Sequence, residues 1–157
     1  MITDFVEKWS DGTIDLLKQN YNKLGLKASG KWANDLESQN KISTTNINIK
    51  ILGSNYTYYL ENGRLPNKNQ DKTALQKWVG WAGSTFLKDW ITQKGINANP
   101  FAVAWKIARK GIKVPNDNNT GGLVSDVITK QRIQILLDDL KAFYVSDLKS
   151  DIIKQLK

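Results

Sequence analysis

Neither cysteine nor histidine occurs among the 157 residues of this chain. The first absence excludes disulfides, thiolate nucleophiles and thiolate metal ligands. The second removes the commonest general base and the commonest transition-metal ligand. Catalysis would have to run on carboxylates, Lys, Tyr, Ser or Thr, as it does in glycosidases with two carboxylates. The carboxylates present do not suit that design. Asp138 and Asp139 are neighbours in a helical segment and point ~100° apart, so they cannot flank one bond. Asp147 and Asp151 lie one turn apart on a charged face with Lys154, which is a solvated helix surface. No glycine-rich phosphate cradle of the P-loop or dinucleotide type occurs, and flexibility explains Gly121-Gly122, in an Asn-rich loop, better than anion binding does. The chain reads as a non-enzyme, with no cofactor and no metal.

Long hydrophobic runs are missing too. None approaches the ~20 residues needed to cross a bilayer. The opening Met1-Ile-Thr-Asp-Phe-Val-Glu7 lacks the basic start and apolar stretch of a secretion signal, so manufacture in a cytoplasm is expected and a membrane partner is not. Six Trp and 40% hydrophobic residues argue for a packed core. The length suits one domain over residues 1–157, burying about two-thirds of its unfolded surface.

What the chain has is charge, unevenly placed. Of the net +8, residues 61–113 supply +7, from ten Lys and Arg against Glu61, Asp71 and Asp89. A field of that kind suits a polyanion or an acidic protein surface, although a Lys-rich surface also serves solubility alone. Lys106, Arg109, Lys110 and Lys113 cluster at one predicted helix end and its exit, where non-specific contact with DNA phosphates is plausible. Trp78, Trp81, Trp90 and Trp105 interleave with the bases, an arrangement that can stack on single strands. The spacing of Trp78 and Trp105 favours burial instead.

Apolar spacings of three, four and seven predict a first helix from Ile2 to about Leu24, with Gly12 as a possible break and Gly25 as its stop. A short second helix would put Trp32 and Leu36 on one face. From Lys41 the period becomes two: Ile42, Thr44, Ile47, Ile49 and Ile51 alternate with polar residues, predicting strands with a turn near Thr45-Asn46. Then comes the densest segment of the chain, Tyr56-Thr-Tyr-Tyr-Leu-Glu-Asn-Gly-Arg64. A helical turn there would place Tyr56, Tyr59 and Leu60 inward and end in a left-handed Gly63. Glu61 and Arg64 would stand on its lip, paired with each other or reaching across a subunit boundary. Glu61, the only acid among aromatics, could alternatively have a raised pKa.

A polar loop at about 64–72 precedes a helix through Leu75, Trp78 and Val79, capped by Asp71 or Thr73. Gly80 and Gly83 are expected to loosen the chain before a helical piece with Phe86, Leu87, Trp90 and Ile91. Asn99-Pro100 opens a helix lined by Phe101, Ala104, Trp105 and Ala108 and closed by Gly111. Residues 115–122 read as the loosest loop. The last helix keeps its apolar rhythm from Ile133 through Phe143, Tyr144 and Ile152 to Leu156. From Thr129 it would span ~42 Å, longer than a domain with a radius of gyration of ~15 Å is wide. Its stripe is therefore expected to be covered by a neighbouring subunit, by the first helix, or by both.

The order of these pieces resembles a specific family. Tyr56-x-x-Tyr59-Leu-Glu-x-Gly-Arg64 is followed by a Pro loop, then Leu75-Gln-Lys-Trp-Val79, then Gln93-Lys-Gly-Ile96, then Phe101-Ala-Val-Ala-Trp-Lys-Ile-Ala-Arg-Lys-Gly-Ile112. Over roughly residues 41–113 this is similar to the head–tail joining, tail-completion and minor tail proteins of tailed bacteriophages. The resemblance implies an α+β fold: a small antiparallel sheet packed by several helices, with long N- and C-terminal helices. It also implies a non-enzymatic virion protein of the neck or tail, assembled in the host cytoplasm. Such a protein forms or joins a sixfold or twelvefold homo-oligomeric ring among portal, adaptor and tail proteins, through which DNA passes. On that reading Tyr59, Glu61, Arg64, Phe143, Tyr144 and Ile152 are the expected subunit contacts, and Lys106, Arg109, Lys110 and Lys113 the expected DNA- or channel-facing residues. The alternative is a small basic nucleic-acid-binding module.

Overall fold

In the computed structural model, which describes residues 1–43 and 45–155, the chain is α+β. Thr44 and Leu156, assigned above to the strand pattern and the last stripe, lie outside the described residues. The elements run α1 (Ile2–Lys23), α2 (Lys31–Asn34), β1 (Glu37–Ile42), β2 (Ile47–Leu52), α3 (Tyr56–Asn62), β3 (Gly63–Arg64), α4 (Lys72–Ser84), α5 (Phe86–Lys94), α6 (Pro100–Lys110), β4 (Ile112–Lys113) and α7 (Lys130–Gln155).

Helix α1 runs unbroken through Gly12, which faces open space. Its buried face is Val6, Ser10, Thr13, Ile14, Leu17 and Tyr21, a helical stripe that includes two hydroxyls. Ser10 donates to the Val6 carbonyl and shares hydrogen bonds with Asn40 of β1; Thr13 donates to the Trp9 carbonyl. Leu24 and Gly25 (φ 65°) close the helix as expected.

Strands β1 and β2 pair antiparallel from Glu37↔Leu52 to Ile42↔Ile47. Most of β1 escapes the apolar alternation, since its inward residues are Ser38, Asn40 and Ile42. Asn40 meets Ser10, so a polar pair stands where a half-buried strand normally carries an aliphatic residue. The same strand corrects the expected second helix. Helix α2 ends at Asn34, and Leu36 leads into β1 instead of sharing a helical face with Trp32. Trp32 is buried against Tyr21 (ring centroids 4.6 Å) and donates its indole N–H to Thr57 Oγ1 at 2.8 Å.

The two core clusters divide the molecule. One holds Leu17, Tyr21, Trp32, Leu60 and Leu123, where α1, α2 and α3 meet. The other holds Leu75, Val79, Ala82, Leu87, Ala104 and Ala108, where α4, α5 and α6 meet. Helix α4 is capped by the Asp71 carboxylate, which accepts from the Thr73 and Ala74 amides, and α6 by Asn99, which accepts from Phe101 and Ala102. Gly80 and Gly83 do not loosen α4. Gly83 is buried under the Phe101 ring, where an added Cβ would come within 2.5 Å of Cδ1, so this glycine is a packing residue.

Residues 115–122 keep Pro115, Asp117, Asn118 and Thr120 exposed, as a loose loop would, yet side-chain hydrogen bonds tie the loop to the body. The Asn119 side chain donates to the Leu60 carbonyl (2.8 Å), and Asn20 donates to the carbonyls of Gly122 (2.8 Å) and Leu123 (3.0 Å). Just beyond, Leu123 is completely buried. The loop is thus the lid of the first core, closed by Asn side chains that satisfy its backbone.

Candidate interaction surface

Two of the sequence motifs meet in space. Gly63-Arg64 forms β3 and Ile112-Lys113 forms β4, and they pair antiparallel as Gly63↔Lys113 and Arg64↔Ile112. Helices α3 and α6 both deliver the chain to this pair through a glycine. Gly63 has φ 78°, ψ −166° and Gly111 has φ 70°, ψ −166°, a region essentially restricted to glycine. Gly63 therefore ends α3 without the left-handed α conformation expected of it. A Cβ on Gly63 would sit 2.1 Å from the Ile112 carbonyl oxygen, and one on Gly111 2.2 Å from that of Arg64. The two glycines are what let the backbones approach.

Around this pair lies an open depression of about 1060 Å³. Tyr58 and Tyr59 come from α3, Leu65, Pro66, Asn67 and Lys68 from the loop, Trp78 from α4, Lys110 from the end of α6, and Ile112, Lys113 and Val114 from β4 and its exit. Arg64, Lys68, Lys110 and Lys113 supply four positive charges, and among the described residues no carboxylate lines it. The Arg64 guanidinium lies over the Trp78 ring, 4.5 Å from its centroid, and donates to Asn67 Oδ1 at 2.6 Å and to the Leu65 carbonyl at 3.2 Å. Burial lowers its pKa, with the Tyr59 phenol acting in the opposite sense, and it remains a cation. Leu65 is 84% exposed on the rim, and Trp78 continues edge-to-face into Trp81 (57% exposed) and Phe86.

Of the residues singled out above, Tyr59, Arg64, Lys110 and Lys113 share this depression; Lys106 and Arg109 are exposed on α6 outside its lining. Tyr56 and Tyr59 are about half exposed, which corrects their reading as inward anchors; within α3 only Leu60 is buried. Glu61 does not pair with Arg64. Its carboxylate accepts from the amides of Val124 (2.8 Å) and Ser125 (3.2 Å) and from the Ser125 hydroxyl. Partial burial alone would raise its pKa. The hydrogen bonds from Ser125, Val124 and Leu123 outweigh that, and the net shift is downward, opposite to the elevation considered from sequence. Tyr58 and Leu65 of the lining were missed in sequence; Trp81, singled out there among the interleaved aromatics, lies beside the depression against Trp78. Its exposure follows from its place off the Leu75–Val79–Ala82 stripe.

The second unusual surface is α7, ~39 Å long at 26 residues. Its first turns pack chiefly on α1. Arg132 donates to Thr13 Oγ1 at 2.8 Å and lies over the Trp9 ring, 5.2 Å from its centroid, and Leu136 is the buried residue of the helix. Ile133, Ile135 and Leu137 are exposed even there. Phe143 is half-buried, while Tyr144, Val145, Leu148, Ile152 and Ile153 are exposed, Leu148 at 63%.

These features define an α+β protein with two small antiparallel pairs, a projecting helix and a cationic–aromatic depression, in which no described group of acidic side chains could hold a metal ion. Compared with protein-family models, curated proteins and solved structures, the chain gives no match.

Proposed function

We propose that this chain is a structural virion protein of a tailed phage, which forms or joins a ring at the portal–tail junction and makes no catalytic contribution. The observation that carries the reading is the distal half of α7. From Lys141 to Gln155 the helix carries five exposed large apolar side chains, Tyr144, Val145, Leu148, Ile152 and Ile153. Isolated helices of that length are marginal in water, and apolar faces of this extent ordinarily mark an interface. A helix covered by a neighbouring copy accounts for it. The motif resemblance supports the same reading, and it gains a physical sense because its two glycine-terminated segments are paired strands. Portal, adaptor and tail proteins are the proposed neighbours, in the neck or tail of the particle. The +7 of residues 61–113, including exposed Lys106 and Arg109, suits passing DNA.

The test is the mass of the purified protein by light scattering across a concentration series, with its presence in particles checked by mass spectrometry. A closed ring of about six or twelve copies, or presence in virions, is the expected result. A strict monomer absent from particles removes the reading. The acid-free depression with its exposed aromatics favours one second reading, a monomeric module that binds single-stranded nucleic acid. Salt-sensitive binding of an oligothymidylate by a monomer would establish that alternative.

A further inference from the structure

We propose that the depression around β3 and β4 is a seat for single-stranded nucleic acid. Its phosphates lie on Arg64, Lys68, Lys110 and Lys113, and its bases stack on the neighbouring aromatic rings. The site is complete within one copy of the chain, so the inference goes beyond the ring reading and stands with or without it. To the nucleic-acid reading it adds the residues.

Charge comes first. Elsewhere on the surface, exposed lysines have acidic neighbours: Lys31 has Asp35, Lys141 has Asp138 and Lys154 has Asp151. Among the described residues no ion pair includes Arg64, Lys68, Lys110 or Lys113, and no carboxylate lines the depression. Gathering like charges costs the fold repulsion that a bound polyanion relieves. Lys68, Lys110 and Lys113 are exposed and free to reach phosphates. Arg64 is already fixed over Trp78 by its bonds to Asn67 and the Leu65 carbonyl, so little of its freedom remains to be lost on binding.

The rings decide which polyanion. Tyr58 is 65% exposed and stands edge-to-face with Tyr59 on α3. From α4, Trp78 continues through Trp81 into Phe86 at centroid spacings of 6.3 and 5.5 Å. Carboxylates of an acidic peptide would neutralise the lysines but leave these faces wet. A nucleotide brings one anion and one flat apolar face together, which is the mixture the depression presents. Bases already stacked inside a duplex cannot use the rings, so the ligand is a single strand. The volume of about 1060 Å³ lies at the top of the range for small-molecule sites, roughly 300–1,000 Å³, and its open form suits a strand crossing it.

Fluorescence anisotropy of a labelled oligothymidylate against the full chain, over a series of salt concentrations, tests the site. Affinity should fall with salt at a log–log slope of about −3, about 0.7 for each phosphate held. Lys110→Gln/Lys113→Gln should flatten that slope by about 1.4. Tyr58→Ala should keep the slope and weaken binding roughly five- to hundredfold, the loss of one stacked base. Lys106→Gln/Arg109→Gln removes the same charge from α6 outside the depression and should leave slope and affinity near wild type. All these positions are exposed, and native circular dichroism is required of each variant. Equal losses from the two cationic pairs would show diffuse attraction and overturn the site. A duplex or a base-free polyphosphate bound as tightly as the oligothymidylate would overturn it too, and tighter capture of polyglutamate would assign the depression to an acidic protein segment. Binding that survives both depression variants overturns the site while leaving the nucleic-acid reading in place. Light scattering on the same samples separates the ring: a ring that ignores the oligothymidylate sinks this site alone, and a monomer that binds it through these residues supports the site and counts against the ring.

Discussion

The Glu61 carboxylate ties α3 to Val124 and Ser125 through three hydrogen bonds, so its ionisation is linked to folding. Its folded pKa lies below the ordinary 4.5. The stabilisation it provides is thus complete above that value and is lost as pH falls through the lower folded value. Glu61→Gln should remove this part of the acid sensitivity, and Glu61→Ala should cost about 1–3 kcal/mol at neutral pH. Urea unfolding at pH 7 and below pH 4 checks both: the gap between wild type and Glu61→Gln should shrink at the acid end. Gly63 and Gly111 give a second prediction. Either residue changed to Ala places a Cβ within 2.2 Å of a backbone oxygen in a conformation other residues avoid, costing about 1–3 kcal/mol each. Once one glycine is replaced and β3–β4 has opened, the second replacement should cost less, a non-additivity that a double-mutant cycle measures. Sequence placed Gly63 and Gly111 at helix ends correctly, because a helix stop is a local event. Their mutual contact and Glu61's partners lie some fifty to sixty residues away along the chain, and no local pattern encodes such separations.

At the scale of elements, the helices were the legible part. Asp71 and Asn99 cap α4 and α6, and the apolar steps of α1 mark its extent, because capping and amphipathic spacing act within one or two turns. Strand β1 was not legible, since its inward face is set by a hydrogen bond from Asn40 to Ser10 instead of by apolar contact. In residues 115–122 the Asn residues form the turn their chemistry suggests, Asn116 accepting from the Asn118 and Asn119 amides, but the long-range bond from Asn119 to the Leu60 carbonyl was not legible. The attachment of α7 draws on Arg132, whose Nη2 reaches Thr13 while Nε is buried with no partner among the described residues. Arg132→Ala should cost about 2 kcal/mol by removing a charged hydrogen bond and the stacking on Trp9. Arg132→Met should cost less, because its chain keeps the apolar contact and removes the unpaired donor. Amide hydrogen exchange over residues 130–140 should quicken in the order wild type, Met, Ala. Equal rates in all three would show that Leu136 alone holds the helix.

For the whole molecule, composition and periodicity by themselves marked the long first and last helices, an alternating strand stretch and the concentration of positive charge in residues 61–113, while the α+β class was what the motif resemblance implied. Hydrophobic period, capping chemistry and net charge are all properties of neighbouring residues, and they survive without any knowledge of the fold. The tertiary structure alone decided that the tyrosine turn buries only Leu60 and turns Tyr58 and Tyr59 toward solvent. It alone brought Arg64 onto Trp78 and gathered Lys68, Lys110 and Lys113 around two glycine-led strands. It also left the far half of α7 bare, although its apolar rhythm had offered α1 and a neighbouring copy alike as cover. Each of these outcomes depends on which distant segment occupies a given space, and packing across the chain sets that where local spacing cannot.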